Sequence, residues 1–236
     1  MNPPLMSTVI EDKKSSMVTF QTADGPANGY LALPESKGPG VLILHAWWGL
    51  NDFFKTFCDR LAHEGYTVLA PDLRQGKIAE TVDEAKALLS QSNEEKTFPP
   101  IVLGGLDHLM SQPTLKGNHL GVVGFSMGAA WALWLSTQRP SNIKAVITFY
   151  GTYAVDFPKS QASYLGHYAS EDEWEPITEV HSLEEKIRKA NRPVQFHIYP
   201  EAKHWFFEEN RPNDYEPASA TLAWKRTLDF LRTQLS

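Results

Sequence analysis

The chain has 236 residues, of which 42% are hydrophobic and 21% are charged, and its formal net charge at pH 7 is −6. This length and apolar content suit one domain with a sizeable core, whereas the acidic balance argues against nucleic acid or an anionic membrane as the main partner. No stretch approaches the roughly twenty apolar residues of a membrane span or the apolar core of a signal peptide, and the single cysteine, Cys58, excludes an intrachain disulfide. We therefore expect a cytoplasmic protein with one domain over residues 1–236, in which residues 1–16 form a poorly ordered or loosely attached segment.

Apolar runs alternate with helical patterns along the chain, which predicts an α/β fold with a mostly parallel sheet and helices on both faces. Two strands open the chain around a turn at Asp24 and Gly25. In chain order, the pattern then predicts a strand in VLILHAW, a helix through His63, a strand in TVLAPDL, helices near Val82–Leu89 and Ile101–Met110, a strand and a helix on either side of Ser126, strands in KAVITFYG, Ala162–Tyr168 and Val194–Tyr199, and a closing helix in PASATLAWKRTLDFLRTQL.

Three further segments can be interpreted from their patterns. The charged run SNEEK, between the two middle helices, is typical of a solvated loop. Cys58 falls in an amphipathic helical pattern and is expected to pack in the core rather than act as a nucleophile. The closing helix is expected to pack on the sheet through Leu222, Trp224, Leu228 and Leu231.

Ser126 lies in the pattern Gly-x-Ser-x-Gly, between Gly124 and Gly128. An apolar run typical of a buried strand precedes it, and a helical run follows it. This context is typical of a nucleophile elbow, a strand-to-helix turn so tight that larger side chains two residues to either side would clash. The alternative is an ordinary small residue in a glycine-rich turn, so the chain must also supply an acid and then a base, in that order.

The four histidines that follow Ser126 in the chain are the relevant candidates for the base. His167 and His197 lie within predicted strands, where packing is the simpler interpretation, and His181 is interpreted as a residue at a helix start. His204 instead follows the last predicted strand by a short turn, which is where a catalytic base belongs in this arrangement. His204 is therefore the predicted base, against the alternative of a surface histidine.

The acid must come from the loop after the preceding strand, where Glu171, Asp172, Glu173 and Glu175 form a cluster. Such a cluster is usually a solvated loop. Because it begins where a strand ends, one carboxylate can turn inward while the others face water. Asp172 is the preferred acid, which would accept a hydrogen bond from the imidazole and stabilise the imidazolium.

An oxyanion hole requires two backbone N–H groups aimed at the oxygen that becomes negative. The residue after the nucleophile, Met127, supplies one at a helix N-terminus. Trp47, in the loop HAWWGLNDF, is the candidate for the second. Trp47, Trp48 and Trp205 are also candidate walls for an apolar part of a substrate, although ordinary core packing is the alternative for Trp47 and Trp48.

Taken together, five segments resemble the dienelactone hydrolase family of α/β-hydrolases: HAWWGLNDFFKTFCDRLAHEGYTVLAPDL, GVVGFSMGA, YASEDEWEP, YPEAKHWFF and AWKRTLDFL. The resemblance covers residues 17 to 235. It implies an α/β-hydrolase fold without a large cap domain and the cleavage of a lactone or ester. Matched residue by residue, it implies a nucleophile at Ser126, an acid at Asp172, a base at His204 and oxyanion donors at Trp47 and Met127.

Three positions depart from the family's founding enzymes. Those enzymes have a cysteine at Ser126, and a glutamate associated with that cysteine at Ala46, so the two changes are consistent with an ordinary Ser-His-Asp mechanism. The family arginine that holds a substrate carboxylate is replaced by Glu208, which is expected to place like charge near an anionic substrate. Arg74 is the remaining candidate for holding such a carboxylate.

The expected function is that of a serine hydrolase acting on small carboxylic esters or lactones through an acyl-enzyme, without a metal or organic cofactor. Thioester or peptide substrates remain alternatives within the same chemistry. The alternative from another functional class is a non-catalytic scaffold that binds a ligand. The absence of one residue of the Ser-His-Asp set would be the simplest indication of such a protein. The natural substrate and the oligomeric state are left open by the sequence.

Overall fold

The computed structural model describes residues 14–236. Most of the predicted loose segment, residues 1–13, lies outside the described residues. The end of that segment is not loose, because Ser15 and Ser16 belong to the first strand.

Eight strands and six α-helices alternate along the described residues, in nearly the order that the sequence pattern predicts. The strands are β1 Ser15–Thr22, β2 Gly25–Ala32, β3 Gly38–Leu44, β4 Thr67–Pro71, β5 Leu115–Phe125, β6 Ile143–Phe149, β7 Ser163–Ala169 and β8 Val194–Tyr199. The helices are α1 Asp52–His63, α2 Val82–Ser90, α3 Glu94–Met110, α4 Met127–Gln138, α5 Ile177–Lys189 and α6 Pro217–Leu235, with one 3-10 turn at Phe157–Lys159.

The strands form one sheet in the order β1-β2-β4-β3-β5-β6-β7-β8. β1 and β2 form an antiparallel hairpin that joins the rest through an antiparallel β2–β4 pair, and the strands from β4 to β8 in this order are parallel. The carboxyl ends of the parallel strands therefore meet at one edge, which is where ligands bind in open α/β sheets.

Both faces of the sheet are covered by helices, as the alternation of side chains along β3 illustrates. Val41 and Ile43 point into one hydrophobic cluster, which α1 and α6 cover, and Leu42 and Leu44 point into a second, which α3, α4 and α5 cover. A strand that is buried on both faces has a continuous run of apolar residues, as β3 has in its segment VLIL. The predicted α/β architecture with helices on both faces is confirmed, and Cys58 packs in the core as expected.

Two local predictions were wrong. The SNEEK run is only partly a loop: Ser92 and Asn93 lie between α2 and α3, but the helix begins at Glu94, where Asn93 caps it by accepting a hydrogen bond from the N–H of Lys96 at 3.3 Å. Acidic residues in a first helical turn are favoured by the helix dipole, so this charged run suits a helix start. Leu222, which was expected to pack on the sheet, is 41% exposed. The face of α6 that packs on the sheet instead includes Ala223, Leu228 and Leu231.

None of the helices within residues 14–236 combines the length and apolar character that a bilayer crossing requires.

Candidate active site

Ser126 occupies a strained turn between β5 and α4. Its backbone has φ 48° and ψ −113°, outside the region that most non-glycine residues adopt. A Cβ on Gly124 would lie 2.3 Å from the carbonyl oxygen of Gly128, and one on Gly128 would lie 2.1 Å from the carbonyl oxygen of Leu44. The two glycines therefore allow α4 to start against the ends of β5 and β3, and this places the Ser126 side chain at the carboxyl edge of the sheet.

A continuous hydrogen-bond chain links three of the predicted site residues. The Ser126 hydroxyl lies 2.9 Å from Nε2 of His204, and Nδ1 of His204 lies 2.8 and 2.7 Å from the two carboxylate oxygens of Asp172. A carboxylate only accepts, so Nδ1 is the donor and a neutral His204 presents an unprotonated Nε2 to the serine hydroxyl. The side chains of His204 and Asp172 are 6% and 3% exposed, which shields this pair from water.

The loops after β7 and β8 are bonded to each other, and this fixes the distance between the acid and the base. The N–H of Glu171 donates to the carbonyl of Ala202 at 3.0 Å, and the N–H of Glu201 donates to the Ser170 hydroxyl at 2.9 Å. Because both bonds span the two loops, Asp172 and His204 are held in register by the backbone on which they lie.

The four acidic residues of the loop after β7 have different environments. Asp172 also accepts the N–H groups of Trp174 and Glu175, each at 2.8 Å, so its carboxylate is oriented by its own loop. Glu175 turns toward the loop after β6 and accepts the N–H and hydroxyl of Thr152 at 2.9 and 2.7 Å. Glu171 and Glu173 are exposed. Among the four, Asp172 is the one that the structure brings to His204.

The predicted oxyanion donors lie on two elements that meet beside Ser126. Met127 opens α4, so its N–H has no partner within the helix. Trp47 follows β3 in a loop that His45 holds in place: Nδ1 of His45 donates to the Ala46 carbonyl at 2.7 Å, and Nε2 accepts the N–H of Leu73 at 3.1 Å.

His45 is a site residue that sequence reasoning missed. Burial lowers its pKa to about 4, so it stays neutral and can donate and accept at the same time. It thereby ties the loop that carries Trp47 to the loop after β4. Its one sequence signal is a polar residue directly at the end of a buried strand.

Four tryptophans pack together on the His204 side of the nucleophile. Trp47 lies 5.2 Å from Trp174 and 6.1 Å from Trp205, between ring centroids, and Trp205 lies 5.0 Å from the His204 ring. Trp48 is only 1% exposed and is stacked under the Arg211 guanidinium at 3.4 Å. Trp48 therefore supports the cluster from behind, whereas Trp47 and Trp174 present surface to the site.

Arg74 is not free to hold a substrate carboxylate. Its side chain is 3% exposed, and one guanidinium nitrogen lies 2.9 Å from a carboxylate oxygen of Glu94. It also donates to Ser92 at 3.0 Å and contacts the Met127 sulfur at 3.3 Å. The predicted substrate-binding role at Arg74 is contradicted in this arrangement, because Glu94 already neutralises the charge.

The side chain of Glu208 is buried, which argues against the expectation that it places like charge near an anionic substrate. The residue is fully buried and accepts the Tyr150 hydroxyl at 2.8 Å, and the Tyr150 ring lies 4.9 Å from the ring of His204. Burial raises the pKa of Glu208 to about 7, although the Tyr150 hydroxyl and Arg211 act in the opposite direction. Glu208 thus supports the residue that packs behind the base.

Comparisons with known proteins identify the family of this chain. The family model of the dienelactone hydrolase family matches residues 27–235. Protein usf of Aquifex pyrophilus is 30% identical over 228 residues, which is 93% of this chain and 99% of the relative. A protein of Aquifex aeolicus (strain VF5) with the provisional name carboxymethylenebutenolidase is 28% identical over 227 residues, 93% of this chain and 98% of its own.

A solved structure from Klebsiella pneumoniae, with the provisional name dienelactone hydrolase, has a TM-score of 0.80 at 25% identity and covers 92% of this chain and 98% of that one. The sheet order, the covered faces and the matched length all fit this class of hydrolases. The chain accordingly belongs to the dienelactone hydrolase family and has the α/β-hydrolase fold.

Proposed function

We propose that this protein is a serine hydrolase that cleaves small carboxylic esters or lactones through an acyl-enzyme intermediate. The observation that carries the proposal is the hydrogen-bond chain from Ser126 through His204 to Asp172, with distances of 2.9 Å and 2.7 Å. Serine is a weak nucleophile on its own, and an adjacent, oriented imidazole is the arrangement that activates it.

The first half of the reaction forms the acyl-enzyme. Oγ of Ser126 attacks the substrate carbonyl while Nε2 of His204 takes its proton, and Asp172 stabilises the imidazolium that results. The carbonyl oxygen becomes negative and is bound by the N–H groups of Trp47 and Met127. The C–O bond then breaks, and His204 returns the proton to the leaving alcohol, or to the hydroxyl of an opened lactone.

The second half reverses these roles with water. His204 takes a proton from the attacking water, and the tetrahedral intermediate collapses to release the acid and the Ser126 hydroxyl. His204 is the donor or the acceptor in each proton transfer, and its partner is Ser126, the leaving oxygen or water, so the proposed steps use no metal or organic cofactor. The names of two relatives, carboxymethylenebutenolidase and dienelactone hydrolase, support lactones as one substrate class.

A fluorophosphonate probe tests the proposal, because it reacts only with an activated serine. We expect the parent protein to be labelled and to hydrolyse p-nitrophenyl esters, and Ser126→Ala to lose labelling and at least about 10³-fold of the turnover while it stays folded. The exposed Ser141→Ala is the control and should behave like the parent. If the parent is not labelled, the non-catalytic scaffold is favoured instead. If the parent is labelled, a panel of lactones and thioesters ranks its substrates.

A further inference from the structure

A cavity lies beside Met127, the residue that directly follows the proposed nucleophile. Its volume is about 350 Å³, and it lies between the start of α3, the first two turns of α4 and the loop after β6. Its walls are mainly Met127, Trp131, Trp134 and Tyr153, with Glu94 and Glu95 at the rim. We call these residues the α3–α4 groove.

The groove adjoins the proposed catalytic centre through Met127. Met127 follows Ser126 directly, and its N–H is a proposed oxyanion donor while its side chain lines the groove. A different cavity, of about 390 Å³, is lined by Asp172, His204 and Trp174, among others. One cavity thus borders the base and the other borders the proposed oxyanion donor, and we call these two cavities the compartments.

The direction of the proposed reaction assigns one part of the substrate to each compartment. His204 must return its proton to the leaving oxygen, so the alcohol part lies on the side of His204. The acyl part is the remaining substituent on the carbonyl carbon and extends past Met127 into the groove. This assignment rests on the proposed function.

The walls of the groove favour an apolar group of limited size. The rings of Trp131 and Trp134 are 5.5 Å apart, and Phe98 packs at 5.6 Å from Trp131, so the aromatic wall is held from behind. Small-molecule pockets typically measure about 300–1,000 Å³. The groove lies near the lower end of this range, which suits a short alkyl chain or a single ring.

The rim disfavours negative charge. Glu94 is paired with Arg74 at 2.9 Å, which removes the nearest positive charge, and Glu95 is exposed. An anionic group at the far end of an acyl chain would therefore meet carboxylates and no free cation among the residues that line the groove. We propose that the α3–α4 groove binds the acyl group of the substrate and selects an apolar acyl group over an anionic one.

A series of p-nitrophenyl esters from acetate to octanoate tests the location, since the leaving group stays constant. In the parent, kcat/KM should rise by up to about fourfold per buried methylene until the groove is full. Ala130→Phe fills the groove and should remove about tenfold or more of the advantage of the longer esters, and Trp134→Ala should move the optimum to longer chains. Trp224→Ala, on α6 outside the groove, is the matched control and should keep the ranking of the parent.

A matched pair of esters tests the charge: p-nitrophenyl 6-methylheptanoate and the p-nitrophenyl monoester of adipic acid, whose chain ends differ in charge and little in shape. The neutral ester should have the higher kcat/KM, with a smaller difference at high salt. Glu95→Gln should narrow the difference about two- to fivefold. Glu94→Gln should narrow the difference in kcat/KM between the two esters further, because this substitution leaves the positive charge of Arg74 without its carboxylate partner. Glu35→Gln, at the opposite edge of the sheet, should change nothing.

Binding to the inactive protein separates this inference from the proposed function. Calorimetry with p-nitrophenyl hexanoate should give weaker binding to Ser126→Ala combined with Ala130→Phe than to Ser126→Ala alone. Equal binding, or an unchanged chain-length ranking in Ala130→Phe, would overturn the groove assignment. Hydrolysis that persists in Ser126→Ala would instead overturn the proposed nucleophile, and the binding comparison would still decide the groove.

Discussion

Two carboxylates near His204 have opposite environments, and this difference determines what each can do. Asp172 accepts backbone N–H groups from its own loop in addition to the imidazole. Glu208 is fully buried with one hydroxyl donor, and this burial raises its pKa to about 7 although Arg211 lies nearby. Asp172 is therefore placed to orient the histidine through hydrogen bonds, whereas the desolvated carboxyl of Glu208 takes up a proton more readily.

Asp172→Asn should reduce kcat by about 10⁴-fold, as expected when the acid that fixes the tautomer of the base is lost. Glu171→Gln and Glu173→Gln are the matched controls on the same loop and should have small effects, because both side chains are exposed. All three are compared on one p-nitrophenyl ester. A large loss at either glutamate with near-normal activity in Asp172→Asn would move the role to that neighbour.

Among the elements, the junction of β5 and α4 depends on close contact between backbones. The Cα hydrogen of Gly128, in the place of a Cβ, faces the carbonyl oxygen of Leu44 at the end of β3. The first turn of α4 therefore lies in close contact with β3. The same contact sets the distance between the N–H of Met127 and the loop that carries Trp47. The packing of the elbow and the proposed oxyanion hole are therefore one geometric feature.

Gly128→Ala should destabilise the fold by about 1–3 kcal/mol, because its Cβ would lie 2.1 Å from a backbone oxygen that cannot move freely. Activity per folded molecule should also fall, since the helix start must shift. Gly65→Ala is a control with an open site but φ +94°, and it should cost about 1 kcal/mol without loss of activity. Denaturant unfolding and ester turnover measure the two effects; equal behaviour of the variants would contradict the steric explanation.

The sequence predicted the elements better than the partners of buried charges. Apolar runs and glycine spacing are local, so they predicted β3, the elbow and the loop positions of Asp172 and His204. The environment of Glu208 depends on Tyr150, which is 58 residues away, and that of Arg74 depends on Glu94 at the start of a helix whose first turn reads as a loop. Such pairings arise from tertiary packing, and no periodicity encodes them.

At the scale of the whole molecule, Glu208 should make stability depend on pH. Its pKa is about 7 in the folded protein and 4.5 as a free side chain, with Tyr150, Arg211 and Asp214 as the groups that act on it. Between these values the folded chain holds a proton that the unfolded chain releases, so stability falls as pH rises. At 1.36 kcal/mol per pKa unit, the loss amounts to about 3 kcal/mol by pH 8.

Glu208→Gln should remove this part of the pH dependence, because the amide keeps the shape of the protonated acid and still accepts the Tyr150 hydroxyl. Urea unfolding at pH 5 and pH 8 measures the difference between variant and parent. Glu209→Gln, whose side chain is exposed, should follow the parent at both values. A parent and a Glu208→Gln variant with parallel pH profiles would show that Glu208 titrates normally.

The tryptophan cluster gives the protein a built-in optical signal. Trp47, Trp48, Trp174 and Trp205 account for four of the seven tryptophans, and their rings lie 5.1–6.1 Å apart in neighbouring pairs. Trp174 and Trp205 lie next to the His204 ring. We therefore expect the emission of these indoles to change when a colourless ester binds beside His204, so that binding can be followed by fluorescence without a chromogenic leaving group.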